Sequence, residues 1–357
     1  MPVVWQHDID LKEFTTLGIG GKAQDYCLIE TVAQWREVSY GIFGESDFDW
    51  HHSPVQPLPS PLCPYYILGK GSNVLINSQG LAGKVLHVKN RGMEIRPAHT
   101  HVDLRIQAGE AWPEVVDFTV QEKLHGLETL AGIPSSVGAA AVQNIGAYGS
   151  DLASVVTGIE YYDLALHDIG FLRADQCGFT YRGSIFKQRP HWAVTYVNLR
   201  LVPATEPVPL FYHDLQQALG TEATVAEIWA QVKKVRQRKG MIFDPQDPLT
   251  HTTGSFFMNP ILSNQEAEQL KQNFGDTFKL YPYQDAWKAS AAQLIEQAGF
   301  PRGYREGEVG LSPNHALAIV NYGHATSDDV KALAAKIQRG VQEKFNLTLT
   351  PETVFFD

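Results

Sequence analysis

Cysteine is scarce: Cys27, Cys63 and Cys177 are the whole supply in 357 residues. An odd number at such wide spacing builds neither a disulfide framework nor a CxxC metal site, and no metal is expected. Long apolar runs are missing as well, with none near the roughly 18 residues that would cross a bilayer. The opening stretch "MPVVWQHDIDLKEF" has no basic segment and no long apolar stretch. A secretory leader is therefore not expected, and a reducing cytoplasm is the natural home. Positive charge is also short: 29 Lys and Arg against 39 Asp and Glu give a net charge of -10. That excludes the overall basic footprint of a nucleic-acid binder. An anionic ligand must instead be held by local cations and backbone N–H groups.

The remaining composition is that of a folded protein, with 44% hydrophobic and 19% charged residues. The length suits two or three domains. "YYIL" (Tyr65 to Leu68), "KVLHV" (Lys84 to Val88) and "AVTYVNLRL" (Ala193 to Leu201) read as strands. "TVAEIWAQVKKVRQRKG" reads as a helix. Thr224 and Glu227 form its capping box, Gly240 stops it, and Val225, Ile228, Trp229, Val232 and Val235 line its apolar stripe. Ser290 caps a shorter helix that stops at Gly299. Ser327 is expected to cap a C-terminal helix carrying Val330, Leu333, Ala334, Ile337 and Val341, and a last strand follows near "PETVFF". Five prolines between Glu45 and Pro64 mark an inserted surface loop. "KGMIFDPQDPLTHTTGS", from Lys239 to Ser255, reads as a linker containing a domain boundary.

Two glycine-rich loops stand out. "ILGKGSNVLI" places Gly69, Lys70, Gly71, Ser72 and Asn73 directly after an apolar strand. Glycine lets the backbone approach a ligand and aim several N–H groups at one anion. The loop is not a Rossmann fingerprint, because Val74 stands at the third glycine position, and it is not a P-loop. The second loop, "LAGIPSSVGAAAVQNIGAYGSDL" from Leu130 to Leu152, combines four glycines with Ser135 and Ser136. So many small residues mean that something lies hard against the backbone, either a neighbouring strand or a ligand. Gln143 and Asn144 offer amides of the kind that recognise a heteroaromatic edge. Together the loops suggest a dinucleotide cofactor held outside a Rossmann fold.

Two further stretches leave alternatives open. In "HTTGSFFMNP", Ser255 is either a turn residue capping its own backbone or a reacting group in an apolar wall. "KKVRQRK", Lys233 to Lys239, is either the solvated C-terminal end of a helix or a run in which at least one lysine faces a ligand.

Seven stretches in order, "FTTLGIGGKA", "ILGKGSNVLI", "GIPSSVGAAAVQNIGAYG", "YRGSIFK", "GSFFMNP", "HALAIVN" and "PETVFF", resemble the UDP-N-acetylenolpyruvoylglucosamine reductases of peptidoglycan synthesis. The resemblance covers nearly the whole chain. It implies an α+β fold of three domains. Two would form a vanillyl-alcohol-oxidase-like FAD-binding unit: residues 1–89, with 344–357 returning to the active site, and residues 90–240. The third, 241–343, would bind substrate. "LFYHDL" is similar to the substrate loop of the tyrosine-bearing type, with Tyr212 as that tyrosine. The chain departs from the family pattern at Ala292-Gln293, at Gly183 and at His315, where relatives carry other residues.

The resemblance further implies non-covalent FAD with NADPH as reductant. FAD would be held by Gly69, Lys70, Gly71, Ser72, Asn73, Ser135, Ser136, Gly138, Gln143, Asn144, Ile145 and Gly146. Neither loop contains His or Cys, the residues that commonly tether flavin in related oxidases. The implied catalytic residues are Arg182, Ser255 and Glu352. Hydride would reach C3 of an enol ether, and Ser255 would protonate C2. Arg182 would hold the substrate carboxylate, because a guanidinium stays cationic and offers two parallel donors. Tyr148, Tyr212, Lys239, Asn259 and His315 would contact a sugar nucleotide. A cytoplasmic monomer with no nucleic-acid partner and no membrane insertion is expected.

Overall fold

The computed structural model describes residues 2–44, 60–275 and 278–357. Most of the proline-rich stretch Glu45–Pro64 lies outside the described residues. Helices and strands mix throughout in an α+β arrangement. The chain forms two compact units, each with its own core. The first comprises Met1–Ile9, Ala23–Lys70 and Ala82–Arg236; the second comprises Asp10–Lys22, Gly71–Leu81 and Gln237–Asp357.

The first seven strands are β1 (Gln6–Asp10), β2 (Lys22–Ile29), β3 (Tyr65–Leu68), β4 (Val74–Ile76), β5 (Leu81–Val88), β6 (Met93–Pro97) and β7 (Val102–Gln107). In the first unit β1, β2, β5 and β3 make one sheet in that order. β3 and β5 run parallel, with Leu68 opposite His87. A second sheet orders Asp168–Arg173, Val156–Asp163, Trp192–Pro203, β7 and β6. Trp35, Leu86, Trp112 and Val197 belong to the apolar core of this unit.

The helix Val225–Arg238 begins at the expected capping box, where the Thr224 N–H donates to Glu227 and the Glu227 N–H to the Thr224 hydroxyl. Its fully buried positions are Val225, Ile228, Val232 and Arg236, while Trp229 and Val235 are half-buried. Eleven residues are close to three turns, so Arg236 falls on the face that Val225 starts. The basic run thus contains one buried cation that its composition conceals.

In the second unit, Phe256, Phe257, Leu294 and Ile337 belong to a separate core. Here β4 pairs in parallel with Val354–Phe356, Val74 opposite Val354. That pairing brings the C-terminal strand to the chain that leaves the first glycine loop. The last helix spans Ser327–Phe345, but Ser327 does not cap it. Thr326 is the cap, with a reciprocal box to Asp329. Ser327 is instead held against Ser78: its hydroxyl accepts from the Ser78 N–H at 3.0 Å and its own N–H donates to the Ser78 hydroxyl at 2.7 Å. Both Thr326 and Ser327 are capping types, and tertiary contact selected between them.

Candidate active site

The glycine loops meet within the first unit. A Cβ added at Gly69 would lie 2.7 Å from the Ser136 hydroxyl and 3.0 Å from the Ala139 methyl, so β3 delivers Gly69 as close to the second loop as backbone allows. Ser136 is the cap residue of the short helix Val137–Gln143. Gly138 has a packing reason instead: its Cβ would lie 2.7 Å from that of Ala108, and its N–H donates to the Ala108 carbonyl. Lys89, just past β5, is pushed below the ordinary lysine value by burial and then by the neighbouring charges of Lys70 and Arg91. Cations gathered there give the acidic chain a local positive field suited to phosphate.

Asn144 is placed but committed. Its amide nitrogen donates to the Thr180 carbonyl at 3.0 Å and its amide oxygen accepts from the Ala153 N–H at 3.0 Å. The amide thus joins the second loop to Thr180 on one side and to Ala153 on the other. Ile145 is buried, and Gly146 presents its carbonyl to the Arg182 guanidinium. Gln143 is buried at the end of the helix.

Arg182 occupies that turn, closed by Thr180 and Gly183 bonding each other's backbone in both directions. Its φ of 59° is left-handed, as are Asn144 at 44° and Tyr148 at 51°. Residues with a Cβ hold that region at a cost and cluster at functional sites. The guanidinium carbon lies 5.2 Å from the Tyr181 ring centroid, and the Lys187 ammonium donates to the Arg182 carbonyl at 2.7 Å. Tyr148 and Tyr212 meet edge to face, ring centroids 5.5 Å apart. Buried Arg236 stands in the same unit, pushed down to about 10 by burial, with Tyr148 close enough to oppose that shift. Arg236 was missed in the sequence; its helical spacing from Val225 and Val232 was the signal available, and its charge masked it.

In the second unit, Gly71 has a φ of 67°, and a Cβ there would overlap the Phe14 carbonyl oxygen. Its own chain therefore already requires glycine there. Asn73 donates from its amide to the Glu352 carbonyl at 3.1 Å, and its own carbonyl accepts from the Val354 N–H at 3.0 Å. Ser72 is half-buried beside it. Gly254, at φ 79°, turns the chain into Ser255. Next, Phe256 donates to the Leu317 carbonyl and accepts from the Glu352 N–H, both at 2.8 Å, and Met258 donates to the Thr350 carbonyl at 2.9 Å. Phe257 and Pro351 pair across this ladder. Glu352 therefore stands opposite the residue that follows Ser255. Both are half-buried, and Phe256 and Phe257, which follow the serine in the chain, are fully buried. The backbone just after Ser255 is committed to these cross-strand bonds.

Asn259 accepts at its amide oxygen from the Ala291 N–H, 2.9 Å away at the start of the helix Ala291–Gln297. His315 sits in the bend before Ile319–Asn321, its backbone N–H on the Ser312 carbonyl and its carbonyl accepting from Ala318. Lys239 is half-buried just past the basic helix.

Residues 244–356 match the C-terminal domain of UDP-N-acetylenolpyruvoylglucosamine reductase, and residues 61–167 match an FAD-binding domain. The UDP-N-acetylenolpyruvoylglucosamine reductase of Thermobifida fusca is 37% identical over 99% of this chain and 98% of its own length. The chain belongs to the UDP-N-acetylenolpyruvoylglucosamine reductase family. The Streptomyces coelicolor reductase is 35% identical over 99% of this chain and 90% of its own. A crystal structure of the reductase from Thermus caldophilus shares the fold, with a TM-score of 0.65 at 23% identity and 99% of each chain covered. As a member of this reductase family the chain is an FAD-dependent oxidoreductase of peptidoglycan synthesis. The close approach of Gly69 to Ser136 and the cations around Lys89 fit such a cofactor. No helix among the described residues is long and apolar enough to cross a membrane.

Proposed function

We propose that the chain reduces the enolpyruvyl ether of UDP-N-acetylglucosamine to UDP-N-acetylmuramate with NADPH, as a cytoplasmic monomer with non-covalent FAD. The single observation that carries the chemistry is the ladder that bonds Phe256, the residue after Ser255, to Glu352, with Phe256 and Phe257 both buried. Bound FAD supplies a two-electron carrier between NADPH and C3 of the enol ether. Arg182 takes the substrate carboxylate and stabilises the charge that grows on it, a task for which its strained turn holds it ready. Ser255 gives its hydroxyl proton to C2. A serine is a weak acid, but a strongly basic carbon centre accepts its proton when the hydroxyl is held close and kept dry. Glu352, tethered through its backbone, serves either in its protonated form or by orienting another group, since a bare carboxylate would repel the substrate's own. Tyr148, Tyr212, Lys239, Asn259 and His315 serve the sugar nucleotide, Lys239 and Tyr212 its diphosphate. In this reading the two sheets of the first unit count as two domains and the C-terminal part as a third.

The test is to split the reaction. In Ser255→Ala, bleaching of flavin absorbance by NADPH proceeds as in the parent protein. Reoxidation by substrate slows by about 10²–10⁴-fold, the usual contribution of a positioned acid. Ser255→Cys recovers part of the rate. Equal slowing of both phases would make Ser255 structural and end this reading.

A further inference from the structure

Within the first unit, behind the glycine loop, lies a polar pair that the chemistry above does not use. His87 on β5 is 1% exposed and Tyr26 on β2 is 3% exposed. The Tyr26 hydroxyl stands 2.6 Å from His87 Nδ1, with the rings edge to face at 74°. His87 also bonds the backbone of Gly69, the first residue of the loop. The register explains this: Leu68, which precedes Gly69, is paired with His87 across the parallel strands.

A buried polar pair costs stability unless its bonds are satisfied, and an apolar pair would pack between strands without that demand. Burial, then the charges of Lys89 and Lys70, push the His87 imidazole down to about 3. Burial also pushes the Tyr26 phenol up to about 12. The imidazole is therefore neutral and the phenol protonated. A neutral imidazole has one donor and one acceptor. The Gly69 carbonyl can only accept, so His87 donates to it and the Tyr26 hydroxyl donates to Nδ1. This leaves one arrangement of protons.

We propose that His87 is a positioning residue for the cofactor loop: it joins the Tyr26 hydroxyl to the Gly69 carbonyl and so sets which way the Gly69–Lys70 peptide faces. A trans peptide is planar, with C=O and N–H opposed. Among the described residues no peptide bond is cis. Tying the Gly69 carbonyl to His87 aims the Lys70 N–H the other way, as a backbone donor for an anion. The proposal rests on the reading that this loop holds FAD.

The experiment uses the full chain, stripped of flavin and titrated with FAD, with protein melting followed in parallel. His87→Leu is expected to raise the FAD Kd about tenfold, because a freed Gly69–Lys70 peptide rotates and its donor is lost. In His87→Gln, whose amide supplies both a donor and an acceptor, the Kd stays within about threefold of the parent value. Melting of the flavin-free protein does not predict this split, since a merely structural role lowers it in both variants and leaves the affinity of the folded fraction unchanged. A parent-like Kd in folded His87→Leu overturns the proposal. Should that variant not fold, Tyr26→Phe carries the test. Removing the tyrosine donor then raises the Kd about threefold, and an unchanged Kd overturns the relay. Amide exchange of the parent peptide 68–74 separates the premise from the proposal. Protection on adding FAD supports the loop reading, and its absence defeats loop and relay together. Protection combined with a parent-like Kd in His87→Leu defeats His87 alone.

Discussion

Arg182 shows at the scale of one residue how a side chain is kept at a stability cost. At φ 59° its backbone suits glycine. We therefore predict that Arg182→Gly melts no lower than the parent protein, while its turnover falls by orders of magnitude. A variant that melts clearly lower would show that the bond to the Gly146 carbonyl stabilises more than the strain costs. His125 and Glu128 give a second case. Their side chains meet at 2.7 Å, and Glu128 also accepts from the Gly126 N–H. Burial raises the Glu128 carboxyl, but the bond and charge of His125, together with the backbone N–H groups of Gly126 and Glu128, outweigh it and the net direction is down. The same bond raises His125. A lowered carboxyl contributes stability above its ordinary value and loses it as pH falls through the folded value. A raised imidazole contributes below its ordinary value and loses it as pH rises through the folded one. The pair is thus worth most between the ordinary values of 4.5 and 6.5. Glu128→Gln should cost about 1 kcal/mol there, allowing for solvent at the histidine, and less on either side. A melting difference that stays flat with pH would show that the two do not share a charge.

At the scale of elements, the C-terminal helix separates capping from anchoring. Thr326→Ala removes the cap and should cost about 1 kcal/mol in denaturant unfolding. Ser327→Ala leaves the capping box intact and removes only the hydroxyl that accepts from the Ser78 N–H. Ser78→Ala removes the other bond, the one its hydroxyl accepts from the Ser327 N–H, so the losses of the two single variants should add in the double variant; a double loss well below the sum would show that the two bonds depend on each other. The helix Val225–Arg238 could be read in the sequence to its first residue, because its capping box and stripe are local. The burial of Arg236 was not, because an arginine breaks the apolar pattern that marks a stripe. In the glycine loops, glycine itself was visible in the sequence but its reasons were not. Gly138 answers to Ala108 and Gly71 to Phe14, both far away in the chain.

At the scale of the whole molecule, two cores and buried thiols give a simple check. Cys27 and Cys177 are buried and Cys63 is half-exposed. Burial pushes Cys27 up to about 12 and Cys177 up to about 11, which keeps both as unreactive thiols. One thiol should therefore react promptly with an aromatic disulfide reagent in the native protein, and all three in denaturant. Prompt reaction of two or more in the native state would show that a core opens readily. Adding FAD should slow any residual reaction, since a ligand that binds only the folded state suppresses opening.

Local chemistry was enough to place β3, the capped helices and the glycine loops, and the order of seven motifs was enough to name the family, because these signals lie within a few neighbouring residues. Tertiary structure decided the rest. It brought Glu352 to the residue after Ser255 and Gly69 to Ser136, and it set Ser327 against Ser78 in place of a cap. It also tied Asn144 to Thr180 and put His87 between Tyr26 and Gly69. Each of these joins residues distant in the chain through backbone pairing or burial. The energy of such a contact depends on what the fold places opposite a residue, which the residue's own neighbours in sequence do not specify.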